Sequence, residues 1–158
     1  MKQTSIVLGI LLALLYSLIT AADTALEVTD PWIREAPPGA NVLAAYMVIA
    51  NQGVQAATIT AIASPDFERI EMHRTLVEDG VARMVPVESL QIAAAGRVEL
   101  EPGGMHLMLY SPRRPLREGD SVALEIQQSG AASIRVHVPV VKMNAGDDDG
   151  DHHHHHHH

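Results

Sequence analysis

Glu101-Pro102-Gly103-Gly104-Met105-His106-Leu107-Met108-Leu109-Tyr110 reads as a tight turn that feeds a strand. Pro and Gly supply the backbone angles of the turn. The residues that follow alternate, with Met105, Leu107 and Leu109 as the more apolar set and His106, Met108 and Tyr110 opposite. The same pattern extends in both directions along the chain. Strands are predicted over 26–33, 44–50, 57–63, 69–76, 81–87, 97–100, 106–110, 122–127 and 133–141. Between them lie Pro37-Pro38-Gly39, Asn51-Gln52-Gly53, Glu78-Asp79-Gly80, Glu118-Gly119-Asp120 and Ser129-Gly130, which are turn residues. Ser64-Pro65-Asp66 is predicted to open one helical turn, with Pro at its first position. Long helical periodicity, internal repeats and interdomain linkers are absent from the sequence. Short β-rich segments between turn signals predict an all-β fold, a single antiparallel β-barrel or sandwich.

Alternation also assigns faces. Ile134, Val136, Val138 and Val140 share one side of the last strand, with Arg135 and His137 on the other. Ile70, Met72 and Leu76 fall together, which leaves Glu71, His73 and Thr75 across from them. Met84 is out of phase with Val81, Val85 and Val87. His73, Met84, His106 and Met108 are therefore all predicted on faces away from the core, whereas Met47 and Met72 are in core phase.

The two ends of the 158-residue chain differ from this body. Lys2, the apolar run Ile6 to Ile19 and the small residues Thr20-Ala21-Ala22 read as a signal peptide over residues 1–22. A membrane anchor is the competing explanation, but the run is shorter than the roughly 20 apolar residues a spanning helix needs. The expectation is an exported protein, periplasmic and soluble after cleavage, with no membrane insertion and, without a Cys at the cleavage site, no lipid attached there. At the other end, Asp147-Asp148-Asp149-Gly150-Asp151 leads into His152, His153, His154, His155, His156, His157 and His158. Residues 144–158 are predicted to be a disordered Asp/His-rich tail. A purification tag and a native metal-binding tract both explain it; the retained signal and the acidic lead-in favour the native tract. The domain proper is residues 23–143.

Composition narrows the function. With no Cys, the chain forms no disulfide, thiolate zinc site, iron–sulfur cluster or cysteine nucleophile. A net charge of −8 argues against nucleic acid as a partner. What remains is two imidazoles and two thioethers on outward faces. Thioether sulfur favours Cu(I), and imidazole suits copper as well. His106 and Met108 point the same way from one strand, and a hairpin at Glu78-Asp79-Gly80 would bring His73 near Met84. Each of the four, taken alone, is also explained as a solvated or peripheral packing residue. His137 could complete a three-imidazole zinc site with His73 and His106, although nothing in the spacing supports it.

Taken jointly, Met72-His73, ten residues, Met84, twenty-one residues and His106-x-Met108 make a spaced set that resembles the ligand motif of the periplasmic copper chaperones of the PCu(A)C family. Trp32-Ile33-Arg34 with Pro37-Pro38-Gly39, Ala45-Tyr46-Met47 with Asn51, Glu71-Met72-His73 and Glu101-Pro102-Gly103-Gly104 extend the likeness over most of the body. Met105 stands where an aromatic residue is more usual. The resemblance implies a cupredoxin-like Greek-key fold that binds one Cu(I) through His73, Met84, His106 and Met108. It implies delivery to the binuclear copper centre of cytochrome c oxidase subunit II, sometimes alongside a Sco-type protein, by a monomer that is not an enzyme. It also implies a secondary Cu(II) site in the tail, from Met143 and the histidines.

Three other functions are weighed against this one. An exported β-sandwich interaction module accounts for fold and export but not for four aligned soft donors. A copper storage or scavenging protein would use the same ligands. A metalloenzyme needs an open coordination position and a positioned acid or base, and a Met-rich set activates water poorly. Deletion of residues 147–158 is expected to remove most Cu(II) and Ni(II) binding while a single Cu(I) stays in the body. Metal content after loading each ion measures this, and loss of Cu(I) with the tail would contradict the motif.

Overall fold

Ten strands make up residues 25–142, the part of the chain that this computed structural model describes. In chain order they are β1 (Leu26–Arg34), β2 (Val42–Asn51), β3 (Ala57–Ala63), β4 (Phe67–Glu78), β5 (Val81–Val87), β6 (Leu90–Ile92), β7 (Arg97–Leu100), β8 (Met105–Pro112), β9 (Ser121–Gln128) and β10 (Ala131–Val141). No helix occurs among the described residues, hence none long and apolar enough to cross a membrane. The expectations for residues 1–22 and for the tail, Met143 included, lie outside the described residues.

The strands hydrogen-bond in the order β5-β4-β8-β7-β2-β1-β10-β9-β3-β6. β2 uses its first half to pair with β8 and its second half to pair with β7. One layer holds β5, β4, β8, β7, β2 and β1, and the other holds β10, β9, β3 and β6. They join where Ile33 and Arg34 pair in parallel with Val140 and Val141. The chain crosses between layers after β2, β3, β5, β6 and β8, the interleaving expected of a Greek key. The edges β5 and β6 do not pair with each other, so the sheet folds over as a sandwich and does not close.

The alternation predicted for the strands is what fills the space between the layers. Ile33, Met47, Ile49, Leu107 and Leu109 come from one layer, and Ile59, Val122, Leu124, Ile126, Val138 and Val140 from the other; all are buried. Met47 and Met72 both lie in this core, as their phase predicts. Burial of such side chains contributes about 1.5–3 kcal/mol each for the largest.

One strand was not predicted, and one local expectation fails. β6 is too short, at three residues, to display alternation; Leu90 and Ile92 point inward while the strand pairs with β3. Ser64-Pro65-Asp66 forms a turn and no helix, with the Asp66 amide donating to Ser64 Oγ at 3.2 Å. β4 begins at Phe67, so the chain is committed to a strand before a helical turn can close.

Asn51 ties the far end of β2 to the segment between β6 and β7. It is 1% exposed. Its Nδ2 donates to the carbonyls of Gln55, Ile92 and Ala93, and its Oδ1 accepts from the Gly53 amide. Asn51→Ala strands several buried backbone groups and is expected to cost at least about 2 kcal/mol. Gln52→Ala, which loses one exposed hydrogen bond to Glu27, is expected to stay within about 0.5 kcal/mol. Denaturant unfolding of the two variants checks the contrast; equal losses would contradict the role of Asn51.

Candidate metal centre

Two turns align the strands that carry the candidate donors. Asp79 and Gly80 both have positive φ, 52° and 77°, the pattern of a two-residue type I′ hairpin with its Asp-Gly preference. That hairpin sets Thr75 opposite Met84 and His73 opposite Pro86. Between β7 and β8, Pro102 precedes Gly103 at φ 78°, and the Gly104 amide donates to the Glu101 carbonyl at 3.1 Å; this is a type II arrangement. Across β4 and β8, His73 then faces His106, Glu71 faces Met108 and Arg69 faces Tyr110.

Directly opposed residues of an antiparallel pair project to the same side, and diagonal neighbours lie roughly 7–8 Å apart. His73 and His106 are therefore directly opposed, with Met84 and Met108 diagonal to His73 on either side. The two rings have their centroids 6.2 Å apart and are tilted by 38°. The structure brings all four predicted residues onto one face of three adjacent strands, β5, β4 and β8.

The face is not uniformly open, and this corrects one expectation. His106 lies away from the core yet is only 6% exposed. β8 runs between β4 and β2 and is paired along both edges, which β5 is not. The His73 side chain is 12% exposed, Met108 is half-buried, and Met84 is 61% exposed. Leu76, predicted to join the core, is exposed because β4 pairs with β8 no further than Arg74. Beyond Arg74 the β4–β5 hairpin runs on without a third strand, so Leu76, Val77, Val81 and Met84 meet solvent.

His137 sits exposed on β10 in the other layer. Among the described residues no three His, Asp or Glu side chains gather to hold a metal. The zinc triad of His73, His106 and His137 is not formed.

Hydrogen bonds orient both imidazoles. His106 Nδ1–H donates to the Gly104 carbonyl at 3.2 Å, an oxygen that also receives the Thr75 amide at 3.1 Å. His73 Nε2–H donates to Glu71 Oε2 at 2.9 Å, and Glu71 Oε1 meets Arg69 Nε at 2.8 Å. The hydrogen bond from His73 holds the Glu71 carboxyl below its ordinary range. Partial desolvation opposes this, and the Arg69 guanidinium and Tyr110 hydroxyl reinforce it. His73 Nδ1 is buried with no hydrogen-bond partner. Buried polar atoms are paired in the large majority of cases, and an imidazole nitrogen left without a hydrogen-bond partner is available to a metal such as copper.

Sequence reasoning placed Glu71 on this face but gave it no part in the site; its spacing of two from His73 was the signal available. The Gly104 carbonyl had no signal, because a backbone acceptor leaves no mark in residue type.

Comparison with known proteins places the fold first. The copper-bound PCuAC domain from PmoF2 superposes with a TM-score of 0.65 at 18% identity, covering 78% of this chain and 97% of that domain. Apo-DR1885 from Deinococcus radiodurans superposes at 0.60 with 28% identity over 78% of this chain and 83% of its own. Its Cu(I) form gives 0.55 at 25% identity, over 81% and 85%. The architecture is thus the cupredoxin-like β fold of PCuAC domains. The chain belongs to the LpqE-like family, described under a lipoprotein name, whose model matches residues 26–140. Among curated relatives, Lxx21020 of Leifsonia xyli subsp. xyli, also carrying a lipoprotein name, is 28% identical over 115 residues, 72% of this chain and 68% of its own length. The uncharacterized protein RP573 of Rickettsia prowazekii is 32% identical over 106 residues, 63% of this chain and 57% of its own length. The chain thus spans somewhat over half to two-thirds of the length of these relatives.

The burial gradient sets how variants should behave without metal. Met84→Leu, at an exposed position, is expected to change stability by less than about 0.5 kcal/mol. Met108→Leu roughly conserves volume and should cost less than about 1.5 kcal/mol. His106→Ala empties a buried position and is expected to cost about 1–3 kcal/mol. Melting curves of the metal-free variants test the order; a His106→Ala as mild as Met84→Leu would contradict its burial.

Proposed function

We propose that this protein is an exported Cu(I) carrier that holds one ion between His73, Met84, His106 and Met108 and passes it on by ligand exchange. The observation that carries the reading is the register. Three adjacent strands place two imidazoles and two thioethers on one face, with an unpartnered buried nitrogen among them. The Cu(I) form of DR1885, 25% identical, supports the choice of ion. The lipoprotein name of the family supports export, and a periplasmic location agrees with the signal-like residues 1–22.

A neutral set of this kind suits a carrier better than an enzyme or a permanent centre. Thioether and imidazole donors stabilise Cu(I) without a thiolate, so an acceptor with thiolate ligands draws the ion forward. The binuclear copper centre of cytochrome c oxidase subunit II is such an acceptor, and a Sco-type protein is a second partner on the same route. Met84, the most exposed donor, is where exchange begins.

The test is a competition titration with a chromophoric Cu(I) chelator on protein lacking residues 147–158. Met84→Leu and Met108→Leu are expected to lower Cu(I) affinity at least about tenfold, whereas Met47→Leu leaves it unchanged, because Met47 is sealed in the core. Undiminished affinity in both outer variants would overturn the reading. Protons compete with a metal for imidazole but not for thioether. Affinity is therefore expected to fall on acidification, and a profile that stays flat down to pH 4 in the same titration would contradict two histidine ligands.

A further inference from the structure

Glu71 is a poor donor for a soft ion, yet it is the side chain most closely tied to the donor set. It lies two residues before His73 on the same face of β4 and directly opposite Met108. Both of its oxygens are engaged: Oε2 by His73 at 2.9 Å and Oε1 by Arg69 at 2.8 Å. Arg69 is itself held, its guanidinium carbon 4.1 Å from the centre of the Tyr110 ring. The carboxylate is thus fixed from both ends along one strand face.

An ionised carboxylate only accepts hydrogen bonds, and neutral imidazole carries one N–H. The proton in the Glu71–His73 contact therefore resides on Nε2, and Nδ1 keeps its lone pair. That is the atom the fold buries without a partner. His106 is set the opposite way, since its Nδ1–H is taken by the Gly104 carbonyl and Nε2 is left free. The two imidazoles thus offer different nitrogens, each chosen by its own acceptor.

We infer that Glu71 is a positioning residue, which fixes His73 as the Nε2–H tautomer and presents Nδ1 to the bound ion, with Arg69 holding the carboxylate in place. This rests on the Cu(I) reading above and adds a carboxylate–imidazole–metal relay to it. Carboxylates behind metal-bound imidazoles fix the ring and raise its basicity, and their loss typically costs about 10–100-fold in affinity. Glu71 also sets one negative charge beside a cation whose four ligands are neutral.

The test uses the full-length chain with two readouts. Ring nitrogen shifts of His73 report its tautomer in metal-free protein. The methyl resonances of Met84 and Met108 report occupancy of the site, free of interference from the tail, during Cu(I) titration against a chelator. Wild type is expected to show protonated Nε2. Glu71→Ala is expected to give a mixed or reversed tautomer and about 10–100-fold weaker Cu(I) binding. Glu71→Gln keeps a carbonyl acceptor for the same proton and should recover most of the tautomer and part of the affinity. A Glu71→Ala chain with unchanged tautomer and unchanged affinity would overturn the positioning role alone. A wild-type chain whose Met84 and Met108 methyls ignore Cu(I), with Nε2 still protonated, would instead overturn the copper reading and leave Glu71 only orienting a histidine.

Discussion

Met72 faces Leu107 and Ile70 faces Leu109 across the β4–β8 ladder, on the side turned towards the core. Both leucines are fully buried. A slip of one residue in this pairing would turn every side chain of one strand to the other face, driving Leu107 and Leu109 outward and His106 and Met108 inward. Burial of these apolar pairs, at about 25 cal/mol per Å², thereby also determines what happens on the opposite surface. His73 meets His106 because Met72 meets Leu107. The geometry of the donor set is a by-product of core packing, held by side chains that never touch it.

Most of the framework was legible because alternation with a period of two is the direct expression of a sheet buried on one side. It located the strands, put Met47 and Met72 in the core and separated His73, Met84, His106 and Met108 from it. What alternation does not encode is coverage on the outer face. His106 and Met84 share that face, yet one is buried and the other open, because β8 is an interior strand and β5 an edge. Leu76 failed for the same reason: its phase was right, but β8 ends before reaching it. β6 was missed and the turn at Ser64-Pro65-Asp66 misread, because segments of three residues are too short to establish a period.

The chemistry follows this gradient from the interior strand to the edge. His106 is tethered by a backbone carbonyl and His73 by a carboxylate, so the imidazole half of the set is oriented before any ion arrives. The thioethers lie further out, Met84 on a hairpin that extends past its neighbour. On the copper reading, an ion from solvent meets the exposed Met84 sulfur first and the oriented nitrogens last, and an acceptor likewise displaces Met84 first. On that reading, preorganised nitrogens confer retention and an exposed sulfur permits exchange, the two demands on a carrier.

The most direct measurement is X-ray absorption of the Cu(I)-loaded protein lacking residues 147–158, which counts the atoms bound to the metal by type. Two sulfur and two nitrogen neighbours are expected, with one sulfur lost in Met84→Leu and one in Met108→Leu. A copper shell of nitrogen and oxygen alone, unchanged in either variant, would contradict the assignment of this face as the metal site.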